Sequence, residues 1–190
     1  PRASKYYTIF LVFIKFFPAG LRGFLMFILL LDSSGSWRYI AAVVVRRVPQ
    51  ISCYHVAGLD KAKRRNIIGQ ALKVLSMECY SVCVHAFIPQ KIRVLSHRNR
   101  KSRKRLWRGA IKHELTRIRN HLKNLNLWPI SFVYADREFG YYRDIIEKVF
   151  EPDSVFVEKS SRLCLADIVA YLNLSNPRLL RKIKNFREVK

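Results

Sequence analysis

Acidic residues are what this sequence has least of. Only 13 Asp and Glu stand against 36 Lys and Arg in 190 residues, a formal charge of +23. A chain so basic repels itself, and a polyanion is the simplest partner that relieves the repulsion; nucleic acid is the commonest one. Glycine and proline are also few, seven each, while half of the residues are hydrophobic. That excludes a collagen-like or disordered chain and leaves enough apolar residues for a sizeable core. Four cysteines are too few for a disulfide-built miniprotein. With no secretory signal in view, they are expected to be reduced thiols in a cytoplasmic protein. Long apolar runs are missing too. Lys15, Pro18, Gly20, Arg22 and Gly23 divide the apolar N-terminal stretch into two runs of about ten residues, short of the roughly 18–20 that a membrane span requires. Residues 1–23 therefore read as an apolar segment packed on the domain. The chain opens on Pro1, and its natural start is expected upstream. There is no Walker loop, glycine-rich dinucleotide loop, HExxH or GxSxG.

What remains is patterned as an α/β domain. Residues 24–31 (FLMFILLL) are apolar at every position, as in a strand buried on both faces. Residues 39–47 and 51–56 read as second and third strands, with Pro49 between them. Asp60 is a suitable cap for a helix to about 75, with Ile67, Ile68, Ala71, Leu72 and Leu75 on one face. A strand is predicted at 80–88 and a basic linker at 90–101. A long helix follows at 102–124, where Ile111, Leu115, Ile118, Leu122 and Leu125 repeat every three or four residues. Further predictions are a strand at 131–135, a helix at 140–150, an extended piece at 154–157 and a helix at 161–174. The basic stretch 178–190 reads as a final helix or tail. Three strands followed by alternating helices and strands indicate a mixed sheet flanked by helices.

Each carboxylate in so basic a chain needs a reason. The first 135 residues hold only Asp32, Asp60, Glu78 and Glu114. Asp32 ends the most apolar strand and Asp136 ends the strand at 131–135, and ligand chemistry in open α/β sheets sits off such strand ends. Asp167 lies three or four residues from Leu163, Cys164, Ala170 and Tyr171, a carboxylate on an apolar helical face. Burying it unpaired costs several kcal/mol or more. Local explanations compete: an Asp-x-x-Gly turn at Asp32, a helix cap at Asp136 and an ion pair with Arg162 or another base at Asp167.

The segments LLLDSSG at 29–35, FVYADREFG at 132–140 and KSSRLCLADIVAY at 159–171 resemble, in order and spacing, an uncharacterised family of RNase H-like domains. That family opens on a strand ending in Asp-Glu-Ser-Gly and closes on a helix reading roughly Gln-Leu-Ala-Asp-Leu-Val-Ala. The resemblance covers about 24–174, with 175–190 outside it. It implies an RNase H-like fold, related to that of transposases and integrases, with the long basic helix as an insertion. It also implies that Asp32, Asp136 and Asp167 are the catalytic, metal-ligating set, holding Mg²⁺ or Mn²⁺ for phosphodiester hydrolysis or strand transfer. Such ions prefer carboxylate and water oxygens, and two of them would activate water and stabilise the leaving oxygen. Ser33 stands where the family has an acid, and Cys164 where it has an amide. Glu138 and Glu158 are substitute acids of undetermined direction.

Residues 91–123 are densely basic, with Glu114 their only acid. Arg98, Arg100, Lys101, Arg103, Lys104, Arg105, Arg108, Lys112 and Arg119 form the candidate nucleic-acid-binding set, directed at the phosphate backbone of RNA or DNA. A solvated helix face is the plain alternative. Trp107 either stacks on a base or anchors the helix in the core. Cys53-x-His55 and Cys83-x-His85 share a spacing that two neighbouring strands could turn toward one zinc, although half-buried strand positions account for them more simply. The leading expectation is a nucleic-acid-binding RNase H-like protein acting as a divalent-metal nuclease. The alternative is a non-catalytic RNA-binding protein docked on the ribosome or another ribonucleoprotein.

Overall fold

The computed structural model describes residues 26–33, 37, 39–51, 53, 55–86 and 100–189. The apolar segment 1–23, Arg98 and most of the basic linker lie outside them, as do the side chains of Arg100, Lys101 and Arg103.

Six strands form one mixed sheet: β1 (Phe27–Ser33), β2 (Tyr39–Val45), β3 (Cys79–Ala86), β4 (Ile130–Ala135), β5 (Ser154–Val157) and β6 (Phe186–Val189). Their spatial order is β5-β4-β1-β2-β3-β6. The first three strands form an antiparallel meander, while β4 runs parallel to β1, β5 parallel to β4, and β6 parallel to β3. The parallel joins need crossovers, and helices supply them. The helices are α1 (Lys61–Met77), α2 (Arg100–Asn124), α3 (Arg143–Phe150), α4 (Cys164–Ser175) and the short α5 (Pro177–Leu180).

Sequence alternation divides the core into two layers. On one face Leu29 and Leu31 of β1, Val44 of β2 and Val133 of β4 pack with Ile111, Leu115, Ile118 and Leu122 of α2 and with Ile146 and Phe150 of α3. The other face joins Leu30, Val43 and Val82 to Ala71 and Leu75 of α1 and Ile168, Val169 and Leu172 of α4. The stripe on α2 buries as its spacing predicts, except Leu125, which lies beyond the helix end and is exposed. Trp107 is the anchor rather than a free platform. It packs against the first layer with its ring edge-on to Trp37, centroids 6.5 Å apart. Asp60 caps α1 by accepting the Lys63 N–H at 2.9 Å, a contact worth about 1 kcal/mol.

Two predicted elements differ. Of the strand expected at 51–56, the described residues 51, 53 and 55 are in no strand, and Val56 opens a short 3-10 turn, Val56–Gly58. Its apolar residues Ile51, Cys53 and Val56 are buried in the second layer, but β2 already has β1 and β3 on its two edges. The apolar residues at these positions record packing in the second layer rather than a place beside β2. The C-terminal stretch read as a helix or tail makes one turn of helix and then forms β6. Leu180 and Ile183 are buried, and Asn185 ties the turn to β3, donating to the Cys79 carbonyl at 2.8 Å and accepting the Val82 N–H at 3.1 Å. Residues 186–189 thus belong to the same sheet as β1. Among the described residues no helix is long and apolar enough to cross a membrane.

Candidate functional site

Asp32 is the sixth residue of β1. Because β4 runs parallel with Leu31 opposite Ala135, Asp136 emerges at the same sheet edge, its N–H donating to the Leu31 carbonyl at 3.0 Å. Helix α4 packs over β1 and β2 and brings Asp167, in its first turn, to that edge. The three aspartates line one cleft of about 570 Å³, together with Ser33, Glu138, His55, Lys159 and the cysteines Cys53 and Cys164.

Each carboxylate is held differently. Asp32 is buried and accepts its neighbour Ser33's N–H at 2.7 Å. Burial first, then the negative charges of Asp167 and Asp136, push its acid well above the usual carboxylate range; the Ser33 N–H opposes this, and Glu138 adds to it. Asp167 is raised too, by burial, against the pull of the Val56 N–H and of His55. Its Oδ2 accepts that N–H at 2.6 Å, and the His55 Nδ1 stands 3.7 Å from Oδ1. Asp167 therefore meets the 55–56 turn rather than Arg162, which bonds Glu158 at 3.3 Å. Asp136 accepts the Glu138 N–H at 3.0 Å and caps the 3-10 helix Arg137–Tyr142, so the capping explanation holds there alongside the cleft position.

Of the substitute acids, Glu138 enters the cleft. The Ser33 hydroxyl donates to its Oε2 at 2.8 Å, which sets a carboxylate beside position 33. Glu158 is engaged by Arg162 and is not among the lining residues. Two features escaped sequence reasoning. Cys53 and Cys164 form a disulfide across 111 residues, with Cα atoms 5.4 Å apart, which corrects the expectation of four free thiols. His55 also sits in the cleft, with a left-handed backbone (φ 61°).

The two Cys-x-His pairs do not meet. Cys53 belongs to the second core layer and is bonded to Cys164, whereas Cys83 is buried in the first. His85 faces Glu114 of α2, with Nδ1 3.7 Å from Oε2.

The basic helix reaches the cleft through Arg108. Its guanidinium bonds the Asp144 carboxylate and donates to the Tyr141 carbonyl at 2.8 Å, and Tyr141 lines the cleft. Lys104, Arg105 and Lys112 are exposed, while Arg108 and Arg119 are half-buried.

Four carboxylates around one cavity form a hard oxygen donor set suited to Mg²⁺ or Mn²⁺. Among the described residues, however, no three Asp, Glu, His or Cys side chains converge on a single ion position. No family model matches the sequence, and no curated protein matches it.

Proposed function

We propose that this protein is an RNase H-like nucleic-acid-binding protein whose carboxylate cleft hydrolyses phosphodiester bonds with Mg²⁺ or Mn²⁺. The observation that carries the reading is the meeting of Asp32, Asp136 and Asp167. They come from stretches far apart in sequence and line one cleft of a chain carrying +23. Without a cation the site disfavours ionised carboxylates: burial raises the acids of Asp32 and Asp167, and for Asp32 the charges of Asp167 and Asp136 add to it. A structure that keeps an unfavourable cluster of one sign at a sheet edge is arranged for a ligand of the other sign. Like charges also push one another apart, so carboxylates spread around a cavity are what mutual repulsion produces before a dication draws them together. The sheet supports the fold assignment: an antiparallel meander extended by parallel strands, with the acids at the carboxyl ends of β1 and β4.

When bound, the ions would supply an activated water and stabilise the leaving oxygen. Asp32, Asp136 and Asp167 would hold them, with Glu138 as the fourth oxygen donor in place of an acid at position 33. The residues of the chain do the rest. Ser33 orients Glu138 through its hydroxyl. The Val56 N–H fixes one Asp167 oxygen and leaves the other toward His55. Arg137 and Lys159 place positive charge in the cleft wall, where a phosphodiester anion would need it. Lys104, Arg105 and Lys112 on α2 would guide the backbone toward Tyr141.

The second reading, a non-catalytic RNA-binding protein on a ribonucleoprotein in the cytoplasm, is favoured by the +23 charge and by Ser33 standing in place of an acid. One experiment separates the two. Incubated with labelled RNA and DNA and Mn²⁺ or Mg²⁺, the wild type is expected to cleave, and Asp136→Asn to bind equally well without cleaving. A binding protein would be indifferent to that change and lose affinity when Arg103, Lys104 and Arg105 become Ala. On either reading binding is to phosphates, so affinity should fall steeply, by about 10³-fold or more between 50 and 200 mM salt if six or more phosphates are contacted. Filter binding across a salt series measures this, and a flat response would exclude backbone binding.

A further inference from the structure

The disulfide joins two pieces that the candidate site needs at fixed distance. Cys164 opens α4, three residues before Asp167. Cys53 lies just before His55 and Val56, whose side chain and N–H face the Asp167 carboxylate. The 55–58 turn is also held by Val56, which is buried in the second core layer, and by the Gly58 N–H donating to the His55 carbonyl at 3.0 Å. His55 occupies the left-handed region (φ 61°, ψ 79°), which costs a non-glycine residue energy that the surroundings must supply. Arg64 is a further tether, donating to the Ala57 and Leu59 carbonyls at 2.9 and 2.6 Å. Both cysteines line the cleft but are only 5% and 3% exposed, so a small dithiol would have to approach from the cleft side. The other two cysteines, Cys79 and Cys83, are buried and free. Burial pushes their thiols up to about 12, which leaves almost no thiolate to exchange with the bond.

We propose that Cys53–Cys164 is a redox site in the cleft wall. Oxidised, it straps the 53–58 segment onto Asp167; reduced by a dithiol, it releases that segment and loosens the carboxylate. One thiolate of the dithiol attacks one protein sulfur, the Cys53–Cys164 bond breaks, and a mixed disulfide forms. The second thiol of the reductant displaces the protein sulfur from it. The dithiol leaves as its own disulfide, and both cysteines end as thiols carrying the two electrons and two protons. As a regulation of the carboxylate cleft, this rests on the function proposed above, but the strap itself is a property of the fold.

The test uses the whole chain, oxidised and after dithiothreitol, beside Cys53→Ser/Cys164→Ser. Alkylation of the denatured, unreduced protein should label two cysteines; four labels would overturn the proposal. Amide exchange of Val56 should quicken by about tenfold or more on reduction, and do so in the double variant without reductant. Equal exchange in the oxidised and reduced protein would overturn it. Mn²⁺ alone, titrated by calorimetry, should bind about tenfold more weakly after reduction, because support of a ligating carboxylate is lost. Reoxidation should restore both values. If Mn²⁺ binds in neither state while exchange still responds, the strap stands and the metal-dependent reading falls.

Discussion

Asp32→Asn is expected to abolish divalent-dependent cleavage, by about 10³-fold or more on the proposed reading, while making the metal-free protein more stable by about 1–3 kcal/mol. The two effects have one cause. Asp32 is 7% exposed, and burial together with the Asp167 and Asp136 charges opposes its ionised form. Its folded acid therefore lies above its unfolded one. The fold is unburdened below the ordinary carboxylate range. It loses stability as pH rises from there to the raised value, and it is level above that. The amide removes the charge and still accepts the Ser33 N–H, so the loss with rising pH should shrink in the variant. Urea unfolding of both proteins from acid to neutral pH, without divalent ions, measures it. Added Mn²⁺ should reverse the ranking. An ion at 100 times its dissociation constant stabilises the protein that binds it by about 2.7 kcal/mol, and the variant lacks a ligand. A variant less stable than wild type at neutral pH without metal would show that the carboxylate cluster is not the source of the strain.

How much of this was legible in the sequence depended on whether the physics was local. β1, β2, β4 and the stripe on α2 are written in consecutive residues, as apolar runs and helical spacing. Asp167 was legible because a carboxylate on an otherwise apolar turn of helix needs a reason, and its partners proved to be a backbone N–H and an imidazole. The segment 51–56 misled because burial under α4 imposes the same alternation as a strand. At 178–190 the density of Lys and Arg obscured Leu180 and Ile183, the two apolar anchors that return the chain to the sheet. The disulfide depends on a contact across 111 residues, and spacing carries no such information. The direction of Glu138 was equally hidden. It follows from the 3-10 turn that Asp136 caps, which brings Glu138 back over Ser33.

Glu114→Ala is expected to destabilise the protein by about 3 kcal/mol, and the reason answers why α2 keeps its one acid. Of the four acids in the first 135 residues, Asp60 caps α1, and Glu78 lies 3.7 Å from Arg47 in an exposed pair worth little. Asp32 serves the cleft. Glu114 faces inward, 8% exposed, with its Oε2 3.0 Å from the Arg117 guanidinium and 3.7 Å from His85 of β3, which is wholly buried. Burial alone would raise its acid, but the nearby His85 and the hydrogen bonds and charge of Arg117 outweigh it, and the net shift is downward. A lowered acid contributes stability that is present above the ordinary glutamate range and lost as pH falls through the folded value. The gap between wild type and Glu114→Ala should therefore be widest near neutral pH and close in acid, opposite in sign to the behaviour of Asp32→Asn. Removing the carboxylate takes the nearby negative charge from the buried His85, whose ring nitrogens have no hydrogen-bond partner, and from the neighbourhood of His121, whose own proton affinity is already depressed by burial, by His85 and by Arg187. Urea midpoints for the variant at neutral and acid pH decide the matter. A cost that did not change with pH would assign the loss to packing alone. A cost that vanishes in acid would show that one buried anion fastens the strongly basic α2 to β3.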